Sequence, residues 1–353
     1  MSTEEPQVVS IRCIVRVLIV GMSMSVSLMT SLRSFSTAVQ EQMKQRLHEL
    51  EAIFSENLAY INWVDNMRAV LARYQLKRYP TLHFGFPGNN CAPFNVHRDV
   101  EPLSFYQQIS EQQQAMEFIS ASVPVAWWSR SELSTWPSPD WSRRTVQVPA
   151  ALFNLSVVEG APFSLHASRY SVRLYRALVE LLLFPTDADV ADAGEWLGDR
   201  GRALRSLLGC FEWDIRQLPM PLRNLVAPEP DASRGSALQQ TVALQLAFRA
   251  YQKLMRRKGN RDFRYRALSN LSSAQLFFIY YALDNCESGD VVYAGHLGHM
   301  LPASYRVNVA VRHVLEFWDA FQCPEGSAMT QLTLAAACSV VRQDAWYRSL
   351  QVD

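Results

Sequence analysis

The chain has 353 residues, of which 49% are apolar and 11% aromatic, enough for about two domains with buried cores. This composition excludes disordered and collagen-like proteins. The 34 Lys and Arg residues nearly balance the 33 Asp and Glu residues, leaving a net charge of +1. Such a chain has no overall positive field, so we expect no nucleic-acid partner.

Residues 1–38 form a separate N-terminal segment. Its uncharged stretch between Arg16 and Arg33 would reach about 24 Å as a helix, against a hydrocarbon core of about 30 Å. Five residues of that stretch are Ser or Thr, so it is only moderately apolar. We interpret the segment as a weak export signal or as a degenerate helix of the fold, and membrane association stays open. No other window is long and apolar enough to cross a membrane.

The segment from Val39 to Ile61 predicts the clearest helix, because its apolar residues recur every three or four positions. A second amphipathic stretch is expected over 67–76, followed by a loop with two prolines and two glycines over 80–88. Further helices are expected over 103–120, from Tyr170 to Phe184 before Pro185, and over 244–255.

Several local signals mark the ends of these elements. The run Arg256–Gly259 places cations and a glycine at a helix C-terminus, and Ser272–Gln275 is a capping box that opens a buried helix. Prolines and β-formers predict extended structure over 124–163, with Thr145–Val148 the clearest strand. An exposed loop is expected over 226–235. Helices heavily outnumber strands.

The cysteines and histidines exclude several kinds of site. No Cys-x-x-Cys pair occurs, which excludes zinc ribbons, thioredoxin-like redox sites and small disulfide knots and suits a secreted domain with long-range bridges. The six cysteines are Cys13, Cys91, Cys210, Cys286, Cys323 and Cys338. There is no His-Glu-x-x-His, no Gly-x-Ser-x-Gly and no phosphate or dinucleotide loop. His296 and His299 lie between glycines in an expected loop, and we do not expect them to bind metal.

Four motifs follow one another in a specific order in the last third of the chain: Asn270–Ala282, Cys286, Pro302–Arg306 and Glu316–Cys323. This pattern resembles the C-terminal end of the neprilysin and endothelin-converting-enzyme family of zinc metalloendopeptidases. Upstream stretches also have counterparts there, namely Ile61–Asp65, Val148–Leu152 and Ala247–Gln252. The family's substrate-gripping edge strand has no clear match in Trp136–Asp140. The similarity runs from near Cys13 to the C-terminus and corresponds to the C-terminal half of the family ectodomain.

The resemblance implies a mainly α fold, or α+β with a minor sheet. It implies a thermolysin-like zincin-type peptidase domain over 124–353 and part of a helical domain over 39–123, truncated relative to the family. A working member needs two His ligands and a general-base Glu on one helix, and a Glu ligand with an Asp beneath it on another.

Alignment at Tyr170 places Val179, Glu180 and Leu183 where the family has His, Glu and His. Glu180 thus keeps the general-base position, while both ligand positions are apolar. Counting back from Ala247–Tyr251 puts Ser236 at the Glu ligand and Gln240 at the supporting Asp. Met300 replaces the oxyanion His, with His299 displaced by one position, and Arg306 matches the arginine that holds the substrate backbone. Arg306 could instead be a buried ion-pair partner, and Glu180 a surface carboxylate.

The resemblance also implies a bridge between Cys210 and Cys338. Cys286 and Cys323 match cysteines whose partners lie in the absent half, so they pair with each other, stay free or join another chain. A secreted location, or one on the extracellular face of a membrane, follows by the same resemblance.

We therefore expect a catalytically inactive homologue without a zinc cofactor, which binds a peptide or protein partner without cleavage. Two alternatives remain open. One is an active metalloendopeptidase whose missing residues are supplied in trans, and the other is an interaction protein that uses a helical surface.

Overall fold

A computed structural model describes residues 37–64, 66–78, 82–84, 136–141, 144–149, 152, 162–183, 199–216, 230–257, 259, 266–286, 303–324, 326–327, 329–330 and 338–342. The chain divides into two compact units. One contains three short strands, and the other contains most of the helical chain. The predicted helix over 103–120 lies outside the described residues, as does the N-terminal segment up to residue 36.

The strands are β1 (Leu82–Phe84), β2 (Ser138–Asp140) and β3 (Thr145–Val148), which form a sheet in the order β1-β3-β2. β1 runs parallel to β3, and β2 runs antiparallel to it. Val146 and Val148 of β3 are buried, as suits β-branched residues on the central strand. The predicted strand is confirmed, and Ser138–Asp140 forms an edge strand although its sequence has no clear family match.

Eight helices occur in the described part of the chain. They are α1 (Thr37–Asn57), α2 (Asn66–Arg78), α3 (Phe163–Leu183), α4 (Asp199–Arg216), α5 (Pro230–Arg257), α6 (Ser273–Asp284), α7 (Ala303–Arg312) and α8 (Leu315–Phe321). Short 3-10 turns follow α1 at Leu58–Tyr60 and precede α6 at Arg266–Leu268. None of these helices has the length and apolar character needed to cross a membrane.

The core of the helical unit forms where α3 and α6 pack on each other and α3 packs on α5. Residues 236–251 of α5 are buried on nearly every side, which is typical of a central helix. An aromatic cluster joins α5, α6 and α8 through ring pairs at 4.8 Å (Phe248 and Phe278) and 5.3 Å (Phe278 and Phe317). Helix α1 joins α3 where the Tyr175 hydroxyl donates to the Leu50 carbonyl oxygen at 2.7 Å.

The last described stretch of the chain returns to the end of α1. Ile61 forms a bridge with Val341, and the Arg342 amide donates to the Tyr60 carbonyl oxygen at 2.8 Å. The Asn62 amide donates to the Val340 carbonyl oxygen at 3.1 Å. These pairings satisfy backbone groups that would otherwise be buried without partners.

The structure corrects several predicted boundaries. Helix α3 begins at Phe163, directly after Pro162, which is seven residues before the predicted start at Tyr170. The extended region predicted over 124–163 therefore ends before Phe163. The exposed loop predicted over 226–235 is wrong from Pro230 onward, because α5 begins there. Proline fits the first position of a helix, whose amide has no partner within the helix. No helix was predicted for α4, α7 or α8.

The apolar side chains of α2 do not all enter the core. The helix predicted over 67–76 is confirmed, but Val70 and Leu71 are 56% exposed and Tyr74 is 51% exposed. The small residues Ala69 and Ala72 are buried instead. An apolar face of α2 therefore stays open in the described structure.

Both predicted end signals are confirmed. Gly259 follows α5 with φ at +69°, and its amide donates to the Arg256 carbonyl oxygen at 2.9 Å. At the start of α6, the Gln275 amide donates to Ser272 Oγ at 3.1 Å, and the Ser272 amide donates to Gln275 Oε1 at 2.8 Å. Two amides at the helix N-terminus are thereby satisfied.

Replacing Ser272 by Ala removes one of these reciprocal bonds and leaves the Gln275 amide without its cap. We expect a loss of about 1 kcal/mol in the free energy of unfolding, measured by urea denaturation. Ser273→Ala, one residue later and outside the box, is the matched control. Equal stability of the two variants would show that the box contributes nothing.

Candidate functional site

The positions at which the resemblance places zinc ligands lie on α3 and α5. Val179 and Leu183 lie one turn apart on α3 and are fully buried, each 0% exposed. Ser236 and Gln240 lie one turn apart on α5, the helix that packs along α3. The architecture of two facing helices is therefore present, with hydrocarbon, hydroxyl and amide side chains at these four positions.

This donor set does not fit an open zinc site. Such a site takes three nitrogen, sulfur or carboxylate oxygen ligands. On α3 the only candidates of those types are His166 and Glu180, and on α5 the only one is Asp231. His166 lies more than three turns before Glu180 on the same helix, so these two cannot form the usual pair of ligands one turn apart.

Arginines dominate the charge in this part of the unit. Arg169, Arg173 and Arg176 recur along one side of α3, and Arg306 lies on α7. Asp284, at the end of α6, binds two of them: Arg173 Nη2 lies 2.7 Å from Asp284 Oδ2, and Arg169 Nε donates to Asp284 Oδ1. Glu180 lies near Arg176. Among the described residues, Asp284 thus pairs with two arginines and Glu180 lies near a third.

Burial and mutual repulsion act on these arginines together. Burial lowers the pKa of Arg173, Asp284 opposes that shift, and Arg306 adds repulsion. Burial likewise lowers the pKa of Arg176, Glu180 opposes it, and Arg306 again lowers it. A guanidinium stays protonated near neutral pH despite such shifts, so Arg173 and Arg176 keep their positive charge.

A polar pair extends this cluster to α5. Gln240 Nε2 donates to the Tyr281 hydroxyl at 2.9 Å, while Gln240 Oε1 is buried without a hydrogen-bond donor among the described residues. Burial raises the pKa of Tyr281 to about 12, although Gln240, Arg306 and Arg176 each act to lower it. The phenol therefore stays neutral at physiological pH, and its proton is available to an acceptor.

The structure brings some predicted site residues together and leaves others apart. Arg306 is buried, only 6% exposed, and lies close enough to Arg173, Arg176 and Tyr281 to shift their pKa values. Glu180 is partly exposed on α3 beside Arg176. Met300 and His299 lie outside the described residues, as does His296.

A second polar cluster lies where α4, the end of α7 and the C-terminal stretch meet. His313 Nε2 lies 2.7 Å from Asp214 Oδ2, and the Cys338 amide donates to His313 Nδ1 at 3.0 Å. Arg312 forms an ion pair with the other oxygen of Asp214. Asp214, His313 and Cys338 each have a possible metal ligand atom, all within 4.8 Å of one another. Cys338 is bonded to Cys210, so its sulfur is not a free thiolate.

The bridge between Cys210 and Cys338 confirms the pairing expected from the resemblance. Cys286 and Cys323 are free thiols in the structure. Gln275 Nε2 donates to the Ala320 carbonyl oxygen at 2.9 Å, so the beginning of α6 lies beside the end of α8. Cys286 follows the opposite end of α6, about 16 Å farther along. A disulfide needs Cα atoms within about 7 Å, which rules out a bridge between these two cysteines in this fold.

Sequence comparison finds a similarity to one peptidase family over part of the chain. Residues 237–337 match the model of peptidase family M13. The match covers 101 of the 353 residues. The chain is 22% identical over 320 residues to membrane metallo-endopeptidase-like 1 of Mus musculus, an alignment that covers 84% of this chain and 41% of that protein.

Structural comparison shows the same fold in two M13-type proteins. Zinc metalloprotease Zmp1 of Mycobacterium tuberculosis, solved with an inhibitor, superposes with a TM-score of 0.68 at 15% identity, covering 90% of this chain and 49% of that chain. PepO from Lactobacillus rhamnosis gives a TM-score of 0.64 at 14% identity, covering 88% and 49%. The chain thus spans about half the length of these relatives, and its mainly α, zincin-type fold is confirmed.

Sequence reasoning did not find the arginine cluster or the Asp214–His313 pair. The spacing of Arg169, Arg173 and Arg176 places them on one side of a helix, and this was the available signal. The charges that complete each cluster are far away in the chain. Asp284 follows Arg173 by 111 positions, and His313 follows Asp214 by 99. No local pattern reports such pairings.

The helical unit depends on Asp284 to balance buried arginines. Asp284→Asn keeps the shape of the side chain but leaves Arg173 without its carboxylate. We expect a loss of about 3 kcal/mol in the free energy of unfolding, measured by urea denaturation. Asp319→Asn, on the exposed side of α8, is the control and should change stability by less than about 0.5 kcal/mol. A small effect at Asp284 would mean that other groups neutralise these arginines.

Proposed function

We propose that this chain is a catalytically inactive homologue of the M13 zinc metalloendopeptidases that binds peptides without cleaving them. The observation that carries the proposal is the full burial of Val179 and Leu183, two hydrocarbon side chains at the aligned positions of the histidine ligands. Ser236 at the third ligand position offers only a hydroxyl, which is a poor zinc ligand. Without zinc there is no metal-bound water for Glu180 to deprotonate.

The proposed ligand is a peptide carrying negative charge. Its contact is Arg306, whose planar guanidinium suits a peptide carbonyl or a carboxylate. Arg176 and Arg173 act on Arg306 electrostatically, so the region favours an anionic group over a neutral one. The polar pair of Gln240 and Tyr281 supplies a further acceptor and a phenolic proton in the same interior.

Placement outside the cell belongs to the same proposal. The bridge between Cys210 and Cys338 would persist in an oxidising compartment, where disulfides of this kind are kept. The free thiols Cys286 and Cys323 are then available to join another chain, because they cannot join each other.

A second candidate function is protein interaction through a helical surface. The exposed apolar side chains of Val70, Leu71 and Tyr74 on α2 favour it, since they offer an apolar face to solvent. Beside this face, α1 and α2 border a cavity of about 610 Å³ with mixed charge, lined in part by Glu51, Arg73 and Lys77.

Metal analysis and a cleavage assay test the loss of catalysis. Purified protein with the Cys210–Cys338 bridge intact should contain no stoichiometric zinc and should leave a random peptide library uncut. Metal content is measured by mass spectrometry of the ion, and cleavage by peptide mass spectrometry. One zinc per chain together with hydrolysis that a chelator stops would defeat the proposal and favour an active metalloendopeptidase.

Arg306 distinguishes the two candidate functions. We expect Arg306→Ala to weaken binding of an acidic fluorescent peptide at least tenfold in fluorescence polarisation, while Arg306→Lys weakens it less because charge is kept. Arg266→Ala, in an exposed 3-10 turn, is the matched control and should bind normally. Circular dichroism checks that each variant folds. Peptide binding that is unchanged in Arg306→Ala but lost in Leu71→Asp would favour interaction through the α2 surface.

A further inference from the structure

The Cys210–Cys338 bridge lies in a cluster of possible metal ligand atoms. Cys210 and Asp214 lie one turn apart on α4, while His313 follows α7 and Cys338 begins the C-terminal stretch. Asp214, His313 and Cys338 are all buried, and their ligand atoms lie within 4.8 Å of one another. This cluster lies on different elements from the aligned zinc positions on α3 and α5.

We propose that reduction of this bridge creates a zinc site from Cys210, Cys338 and His313. In the oxidised chain both sulfurs are consumed by the bridge, so only one of these three residues has a usable ligand atom. In the reduced chain two thiolates and an imidazole nitrogen converge, with solvent as a fourth ligand, which is a normal zinc donor set. Ligand atoms around zinc lie about 3.5 Å apart, so small side-chain movements close the site.

The hydrogen bonds already determine how the imidazole would bind. The Cys338 amide donates to His313 Nδ1 at 3.0 Å, so Nδ1 has no proton and Nε2 carries the proton donated to Asp214. The Nδ1 lone pair therefore faces Cys338, and zinc would replace the Cys338 amide as its partner. Asp214 is a positioning residue, because a carboxylate that accepts the second N–H fixes the tautomer and orientation of a metal-binding histidine.

Charge also favours zinc in this buried place. Two thiolates neutralise one Zn²⁺, and Asp214 is neutralised by Arg312, to which it is paired. The filled site has no net charge, so burying it avoids the large penalty of an uncompensated ion.

Reduction can begin at Cys210, which is partly exposed, whereas Cys338 is buried. A thiolate of a dithiol reductant attacks the Cys210 sulfur, the S–S bond breaks, and its electron pair leaves on Cys338 Sγ. The second thiolate of the reductant then displaces Cys210, and the reductant becomes a disulfide. Two electrons pass to the protein, and each cysteine sulfur takes one proton, which zinc releases on binding.

The test uses the full chain with serine at the four other cysteines, Cys13, Cys91, Cys286 and Cys323. The protein is reduced with dithiothreitol, freed of reductant without air, and titrated with Co²⁺ as a spectroscopic substitute for Zn²⁺. We expect one Co²⁺ per reduced chain, with thiolate charge-transfer absorption that Zn²⁺ abolishes, and none in the oxidised chain.

Variants distinguish the proposed metal ligands, Cys210 and Cys338, from the positioning residue Asp214. Cys338→Ser and Cys210→Ser should each lose the charge-transfer band of the two-thiolate site and at least tenfold in affinity. Asp214→Asn should weaken binding tenfold to a hundredfold and keep two-thiolate absorption. Equal binding by the oxidised chain, no binding by the reduced chain, or no effect of Cys338→Ser would overturn the proposal. Loss of helical circular dichroism on reduction that metal does not restore would also overturn it, since the bridge would then be purely structural.

Discussion

The packing of α3 on α5 is the contact on which the rest of the helical unit depends. Leu174 and Leu178 of α3 and Leu244 and Leu246 of α5 are fully buried, and alanines along α5 allow the helix axes to approach closely. Each fully buried leucine contributes about 1.5–3 kcal/mol, whereas an exposed ion pair contributes about 1 kcal/mol or less. Apolar burial, rather than surface charge, therefore determines how these helices and α6 are placed.

The packing of α3 on α5 also affects which side chains suit the aligned zinc-ligand positions. Val179 and Leu183 extend the apolar side of α3 that packs in the core, so these positions contribute to stability. Histidines there would need polar partners or a metal to offset their burial. A chain that had ceased to bind zinc at this place would gain from hydrocarbon side chains at the ligand positions. Hydrocarbon side chains at these positions therefore suit the packing of the helix pair.

Several polar side chains in this interior have partners that offset the cost of their burial. Arg173 pairs with Asp284, Gln245 Nε2 donates to Glu316 at 3.3 Å, and His313 uses both ring nitrogens. The Oε1 atoms of Gln240 and Gln245 are buried without a hydrogen-bond donor among the described residues. Gln240 bonds to Tyr281, which lies near Arg176 and Arg306, so these polar groups lie on the same helices that form the core.

Local features of this protein could be predicted from its amino-acid sequence. The helix repeat of α1, the strand at Thr145–Val148, the glycine after α5 and the capping box of α6 depend on neighbouring residues, and each was predictable. The family resemblance also supplied the fold and the pairing of Cys210 with Cys338. The start of α3 was missed because its first turns, rich in Ser and Ala, carry a weak apolar pattern.

Contacts between residues far apart in the chain depend on how the helices pack in three dimensions. The exposure of Leu71 and Tyr74 depends on what α2 packs against, and the same apolar spacing would suit a buried helix. The separation of Cys286 from Cys323 depends on the antiparallel placement of α6 and α8. The gathering of Arg173, Arg306 and Asp284, and of Asp214, His313 and Cys338, depends on contacts between segments far apart in the chain. The spacing of apolar residues describes one helix or strand at a time, so it does not specify contacts between segments far apart in the chain.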